Sequence, residues 1–153
     1  MLHSYTRIIV HLIWATKNRQ KLISKAARPR IEDHIRYYAK ENEILLDSIN
    51  VQVEHVHGLI YLLSNQQVDQ VAKLLKGESS HWINENNLLP QRFSWQRGYG
   101  AFSVSPSHLN VVRRYIAHQD VHHRTKTFLE EYNEILKKYG FDPIGKTDKS
   151  VSP

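Results

Sequence analysis

Two hydrophobic periods alternate along this chain, and their order constrains the fold more than any single residue does. In residues 5–16, Thr6, Ile8, Val10, Leu12 and Trp14 recur every second position, the pattern of a strand with one face towards a core. Residues 26–42 switch to helical spacing, with Ile31, Ile35 and Tyr38 three and four apart and Pro29 tolerable in a first turn. Residues 44–53 and 55–63 return to strand character. Residues 68–86 are helical again, carrying Val71, Leu74, Leu75, Trp82 and Ile83, with Gly77 a weak point. Residues 93–105 read as a turn followed by a fourth strand. Pro106 and Ser107 then open a helix, Ser107 being the candidate N-cap. A last helix is expected from about His122 to Tyr139, ending at Gly140.

This order is β-α-β-β-α-β with two appended helices, an α+β class with a ferredoxin-like (RRM-like) antiparallel sheet. The helices should cover one sheet face and leave the other open for a ligand or partner. A chain of 153 residues, 41% hydrophobic and 24% charged, is one domain and can bury a core. Residues 1–141 are expected to form it, with 142–153 a polar, loose tail. No apolar run is long enough to span a membrane, the first residues lack a signal-peptide pattern, and there is no cysteine. A cytoplasmic protein without disulfides or thiolate chemistry is the expectation. Lys plus Arg is 21 against 15 Asp plus Glu, net +6, which suits a polyanionic partner. Ten histidines raise the prospect of metal or proton chemistry.

The sharpest local motif is Glu54-His55-Val56-His57-Gly58. On a strand, His55 and His57 project to one face, joined by Leu59 and Tyr61, while Val56, Ile60 and Leu62 point towards the helices. Two imidazoles on one face make half of a divalent-metal site, and Gly58 beside them permits close approach of a ligand or backbone. The spacing alone does not name a reaction. On the helix containing Arg114-Tyr115-Ile116-Ala117-His118-Gln119, Tyr115 and Gln119 share a face, with His118 near them. A tyrosine is a poor nucleophile at its ordinary pKa of about 10 and needs a cation on its target phosphate. His118 is the candidate acceptor of the phenolic proton.

Taken together, YTRIIVHLIWATKNR at residues 5–19, EHVHGLI at 54–60, LLKGESSHWIN at 74–84, FSWQRGYGAFSVS at 93–105 and RYIAHQ at 114–119 resemble one family in order and spacing. It is the small single-tyrosine HUH transposases of insertion sequences, including relatives associated with repetitive extragenic palindromic elements. HUH denotes His-hydrophobic-His, here His55-Val56-His57. The resemblance implies an enzyme that cleaves and rejoins single-stranded DNA bearing hairpins at element ends. It implies Tyr115 as nucleophile, forming a 5′-phosphotyrosine link, and His55, His57 and Gln119 as ligands of Mg²⁺ or Mn²⁺. It also implies a homodimer in which the tyrosine helix of one subunit completes the histidine site of the other. Glu54 stands where Asp is frequent and His118 where Asn is frequent. Neither change touches a mapped ligand or the nucleophile.

Basic residues at Lys17, Arg19, Lys21, Lys25, Arg28 and Arg30 are candidates for phosphate contacts, as are Lys73, Lys76, Arg97, Arg113 and Arg114. Trp95 and Tyr99 are candidates for stacking on unpaired bases, whereas Trp82 fits the core. A non-catalytic or domesticated single-stranded nucleic-acid binder of the same fold is the alternative. Arg97-Gly98-Tyr99-Gly100 opens like an RNA-recognition signature, but Ala101 and Val104 then stand where that signature needs aromatics. A zinc hydrolase built on His55 and His57 lacks a third ligand at motif spacing.

Overall fold

The computed structural model describes residues 4–145. Its elements are β1 (Ile8–Ala15), α1 (Ala27–Glu41), β2 (Leu45–Val51), β3 (His55–Leu62), α2 (Val68–Glu85), β4 (Gly100–Val104), α3 (Leu109–Ala117), the single turn α4 (Gln119–His122) and α5 (Phe128–Lys138). The four strands form one antiparallel sheet in the order β2-β3-β1-β4, the ferredoxin-like arrangement expected from the alternating periods. Alternation on β1 and β3 sends Val10, Leu12, Trp14, Val56 and Ile60 to one face, where they pack against Ile31, Ile35 and Ala39 of α1 and Val71, Leu75 and Ile83 of α2. Each such side chain contributes about 1.5–3 kcal/mol on full burial.

The second face is not open. The C-terminal helices fold over it in two clusters. Ile116 of α3 packs with Ile9, Leu59 and Val104, and Phe128 and Tyr132 of α5 pack with Ile13, Ala15 and Phe102. The face was already apolar on β1, where Ile9 and Ile13 flank His11, so leaving it in water would have been unfavourable. Gly100 allows α5 this close: a Cβ there would lie 2.5 Å from the Tyr132 hydroxyl oxygen and 2.8 Å from the Phe102 ring.

Other sequence expectations shift locally. The expected last helix is broken. α4 ends at His122, and α5 restarts after Thr127, whose hydroxyl accepts from the Glu130 backbone N–H while the Glu130 carboxylate accepts from the Thr127 backbone N–H. Arg124 and Lys126 therefore precede α5 and do not start it. Ser107 lies inside a 3-10 turn (Pro106–His108), and α3 has no side-chain cap. Gly58 points away from the histidines, and a Cβ there would make ordinary contacts with Leu46 and Trp14, so it opens no space beside them. Residues 93–95 do not join the fourth strand; Trp95 makes an isolated bridge to Thr16 and sets its ring edge-on against Trp14 of β1. Gly140 follows α5 with φ of 85°, as a C′ glycine should. Packing runs past Phe141, because Ile144 is buried in the α5 cluster and its backbone exchanges hydrogen bonds with the Asn133 side chain. The rest of the expected tail, 146–153, lies outside the described residues.

Candidate active site

The covered sheet face carries the polar cluster. His55 and His57 on β3 and Gln119 on α4 are wholly buried, and Glu131 on α5 and His11 on β1 nearly so. Buried polar groups on this scale need partners. His11 Nε2 and His57 Nδ1 share a hydrogen bond of 2.8 Å, and His57 Nε2–H donates to Glu131 Oε1 at 3.0 Å. Glu54 Oε1 accepts from His55 Nδ1–H at 2.6 Å, which turns the Nε2 lone pair of a neutral His55 inward. Glu54 therefore orients the imidazole.

Gln119 Oε1 lies 3.2 Å from His55 Nε2 and 3.1 Å from His123 Nε2, and its amide nitrogen reaches back to the Tyr115 carbonyl at 3.4 Å. Two acceptors, the His55 lone pair and the Gln119 oxygen, thus face one another. Glu131 Oε1 stands 3.8 Å from the same His55 Nε2, and Glu131 Oε2 is buried without a hydrogen-bond partner among the described residues. Donor atoms of His55, His57 and Glu131 all lie within 4.8 Å of one another. Converging acceptors and a buried carboxylate oxygen with no hydrogen bond, only His123 Nε2 at 3.6 Å, fit a cation, and the mix of imidazole nitrogen with carboxylate and amide oxygen suits a divalent ion.

Tyr115 lies beside this cluster on the same chain. Its ring centroid is 5.6 Å from that of His57, 6.2 Å from that of His11 and 4.7 Å from that of His122. Burial raises the phenol pKa well above its ordinary value, and the negative charge of Glu131 adds to the rise. Burial also pushes Glu131 up, but the neighbouring His123 and His57 outweigh it and hold the carboxyl well below the usual range. Glu131 in turn raises His123. Burial lowers His57 to about 4, although Glu131 opposes the shift, and lowers His11 to about 3 with His57 contributing. At neutral pH His11 and His57 are neutral imidazoles and Glu131 is a carboxylate.

The position of α3 has a definite origin. A β-bulge between Leu46 and Ser48 leaves Asp47 as the extra residue on β2. Asp47 accepts from Arg113 at 2.6 Å, and Arg113 also donates to the Tyr61 hydroxyl and to Asn110. This fork, together with Ile116 below it, seats the helix that bears Tyr115.

The remaining candidates separate. His118 is exposed and bonded to the Arg114 carbonyl, whereas the charge that bears on the phenol is that of Glu131. Lys17 and Arg19 lie in a 3-10 turn after β1, tied to the 96–99 turn by the Asn18 N–H donating to Gln96 Oε1, so Arg97 is brought near them. Lys21 lines a groove with Arg28, Arg124 and Lys126 beside Glu54 and His123. Arg114 is exposed on α3, and Arg113 is engaged by Asp47. Lys76 is spent on the Gln96 and Gly98 carbonyls. Trp95 is buried, its indole N–H donating to Ser79, and Trp82 stacks on His34. Sequence reasoning missed His11, His123 and Glu131. A histidine between Ile9 and Ile13 on an apolar strand, and a carboxylate on the face of α5 shared with Phe128 and Tyr132, were the available signals.

A profile of the family described as IS200-like transposases matches residues 4–119. The ISDra2 transposase TnpA of Deinococcus radiodurans is 25% identical over 114 residues, covering 71% of this chain and 81% of that protein. A crystal structure of a Deinococcus radiodurans protein assigned as a transposase superposes with a TM-score of 0.63 at 25% identity, over 78% of this chain and 95% of the other. A REP-associated tyrosine transposase bound to a REP hairpin shares the fold, with a TM-score of 0.58 at 15% identity over 100% and 96% of the two chains. The sheet, its buried histidine pair and the tyrosine helix all fall within or beside the matched segment, and the chain belongs to the IS200-like transposase family.

Proposed function

We propose that this transposase cleaves and rejoins single-stranded DNA at the hairpin-bearing ends of an insertion sequence, with Tyr115 as nucleophile. The observation that carries this reading is the approach of Tyr115 and Gln119 to His55 and His57, residues far apart in sequence and gathered on one sheet face. The phenol oxygen forms a bond to phosphorus as the bond to the 3′ oxygen breaks. The protein then holds a 5′-phosphotyrosine, and the 3′ oxygen leaves as a hydroxyl. The reverse reaction with another 3′-hydroxyl reseals DNA without an external energy source.

His55, His57, Gln119 and Glu131 would hold Mg²⁺ or Mn²⁺, which supplies charge to the phosphate oxygens and the leaving oxygen. Glu131 has two oxygens, so one can face the cation while the other accepts the hydrogen bond of the phenol. Glu54 keeps the His55 lone pair turned inward; for His57 Nε2 to hold the cation, its proton would have to pass to Nδ1, where His11 Nε2 would accept it. Lys17, Arg19, Lys21, Arg97 and Arg114 are the candidates for backbone phosphate contacts, while Arg113 serves DNA only if it leaves Asp47.

The test is a labelled pool of hairpin-bearing single-stranded DNA incubated with the protein and Mn²⁺. A denaturation-resistant adduct is expected, absent in Tyr115→Phe and with chelator. Tight binding without an adduct would favour the binding-module alternative. A homodimer with exchanged tyrosine helices is tested in the same assay. Mixing Tyr115→Phe with His57→Ala restores adducts if the site is shared between subunits, and does not if each chain uses its own tyrosine.

A further inference from the structure

A groove of about 530 Å³ runs between the end of β4, α3 and α5, and both Tyr115 and His11 line it. We propose that it is the seat of one unpaired nucleotide adjoining the phosphate that Tyr115 attacks, an inference that rests on the cleavage reading above. Its size lies within the range of pockets that take a single small ligand. Val111 of α3 and Ile135 of α5 give both helix sides an apolar lining that suits the faces of a base. The rim carries Lys138 and His108, and no aspartate or glutamate lines the groove. Among the described residues the Lys138 ammonium has no ion-pair partner, so it is free for a phosphate oxygen.

The other groove near the site differs. It is lined by Lys21, Arg28, Arg124 and Lys126, but also by Glu54, Asp120 and Glu130. Arg28 is 3.5 Å from Asp120, and Lys126 pairs with Glu134. Much of its positive charge is already answered, and Tyr115 does not line it. A strand reaching the nucleophile therefore meets the α3–α5 groove. The groove has the volume of one small ligand, and its apolar sides and single ammonium suit one nucleotide with its base turned out of a duplex.

The experiment uses the full chain and a single-stranded oligonucleotide pool in which thymidine is replaced by photoreactive 4-thiothymidine. After irradiation, cross-linked peptides from residues 103–112 and 135–139 are expected. In the adduct assay, Val111→Trp, which fills the groove from its half-exposed wall, should lower yield at least tenfold. Lys138→Glu should lower it severalfold. Thermal melting and the response to Mn²⁺ should match the wild type in at least one of them, which separates blockage from misfolding. Cross-links confined to other segments overturn the proposal, as does unchanged adduct yield in both variants. Groove cross-links from a wild-type protein that forms no adduct would uphold the nucleotide seat and refute cleavage instead.

Discussion

Glu131 is the sharpest test of the site, because it is the one full negative charge among the converging donors and lies on a helix that sequence patterns did not connect to the histidines. Replacing it with glutamine keeps the side chain's size and removes the charge. If Mn²⁺ binds the folded chain at 100 times its dissociation constant, linkage stabilises the fold by about 2.7 kcal/mol. For a chain of 153 residues that raises Tm by about 5–11 °C, at roughly 2–4 °C per kcal/mol. Losing a charged ligand weakens affinity by about 100-fold, the upper end for shells around a metal. At the same free Mn²⁺ the stabilisation falls to about 0.4 kcal/mol and the shift to about 1–2 °C. The assay is differential scanning fluorimetry of both proteins with Mn²⁺ or chelator, read as the metal-induced shift within each protein so that any change in metal-free stability cancels. A wild-type shift in Glu131→Gln would refute the assignment of Glu131 to the cation and leave it as a partner of His57, His123 and Tyr115 only.

Four other outcomes are expected. Tyr115→Phe should abolish DNA adducts while melting within a few degrees of wild type, since the ring stays packed between His57 and His122. His57→Ala, expected from sequence to leave the sheet intact on an open face, should instead lower stability by about 2–4 kcal/mol in urea unfolding, because it strips Glu131 and His11 of a buried partner. Acid should destabilise the protein between about pH 6.5 and 3. His57 and His11 are lowered from 6.5 to about 4 and about 3 in the fold, so the unfolded chain binds more protons there, and stability is lost as pH falls. Each accounts for about 2 kcal/mol at pH 5 taken alone, His123 offsets part of this, and His11→Asn should flatten the profile. Gly100→Ala should cost about 1–3 kcal/mol by driving Tyr132 off β4, and Tyr132→Phe in the same chain should recover part of it, measured as non-additive Tm changes.

What sequence made legible divides by how each part is determined. Strand and helix periods are local, so the β-α-β-β-α-β order and the shared face of His55 and His57 could be read directly. The assignments of Gln119 as a ligand and Tyr115 as the nucleophile came from resemblance. Their convergence on the histidines depends on the Asp47 bulge, which no periodicity announces. The second sheet face was misjudged because strands were read for one apolar stripe, although Ile9, Ile13 and Leu59 formed another. Glu131 lies 74 residues from His57, and only the docking of α5 joins them. Yet the Thr127–Glu130 capping box is readable in sequence, and it sets the phase of the helix. Once that phase is set, Phe128, Glu131 and Tyr132 share a face, and a carboxylate on a face that apolar neighbours bury needs a donor or a cation opposite it. In a chain with ten histidines, that requirement points from α5 to the histidine strand before any coordinates are known.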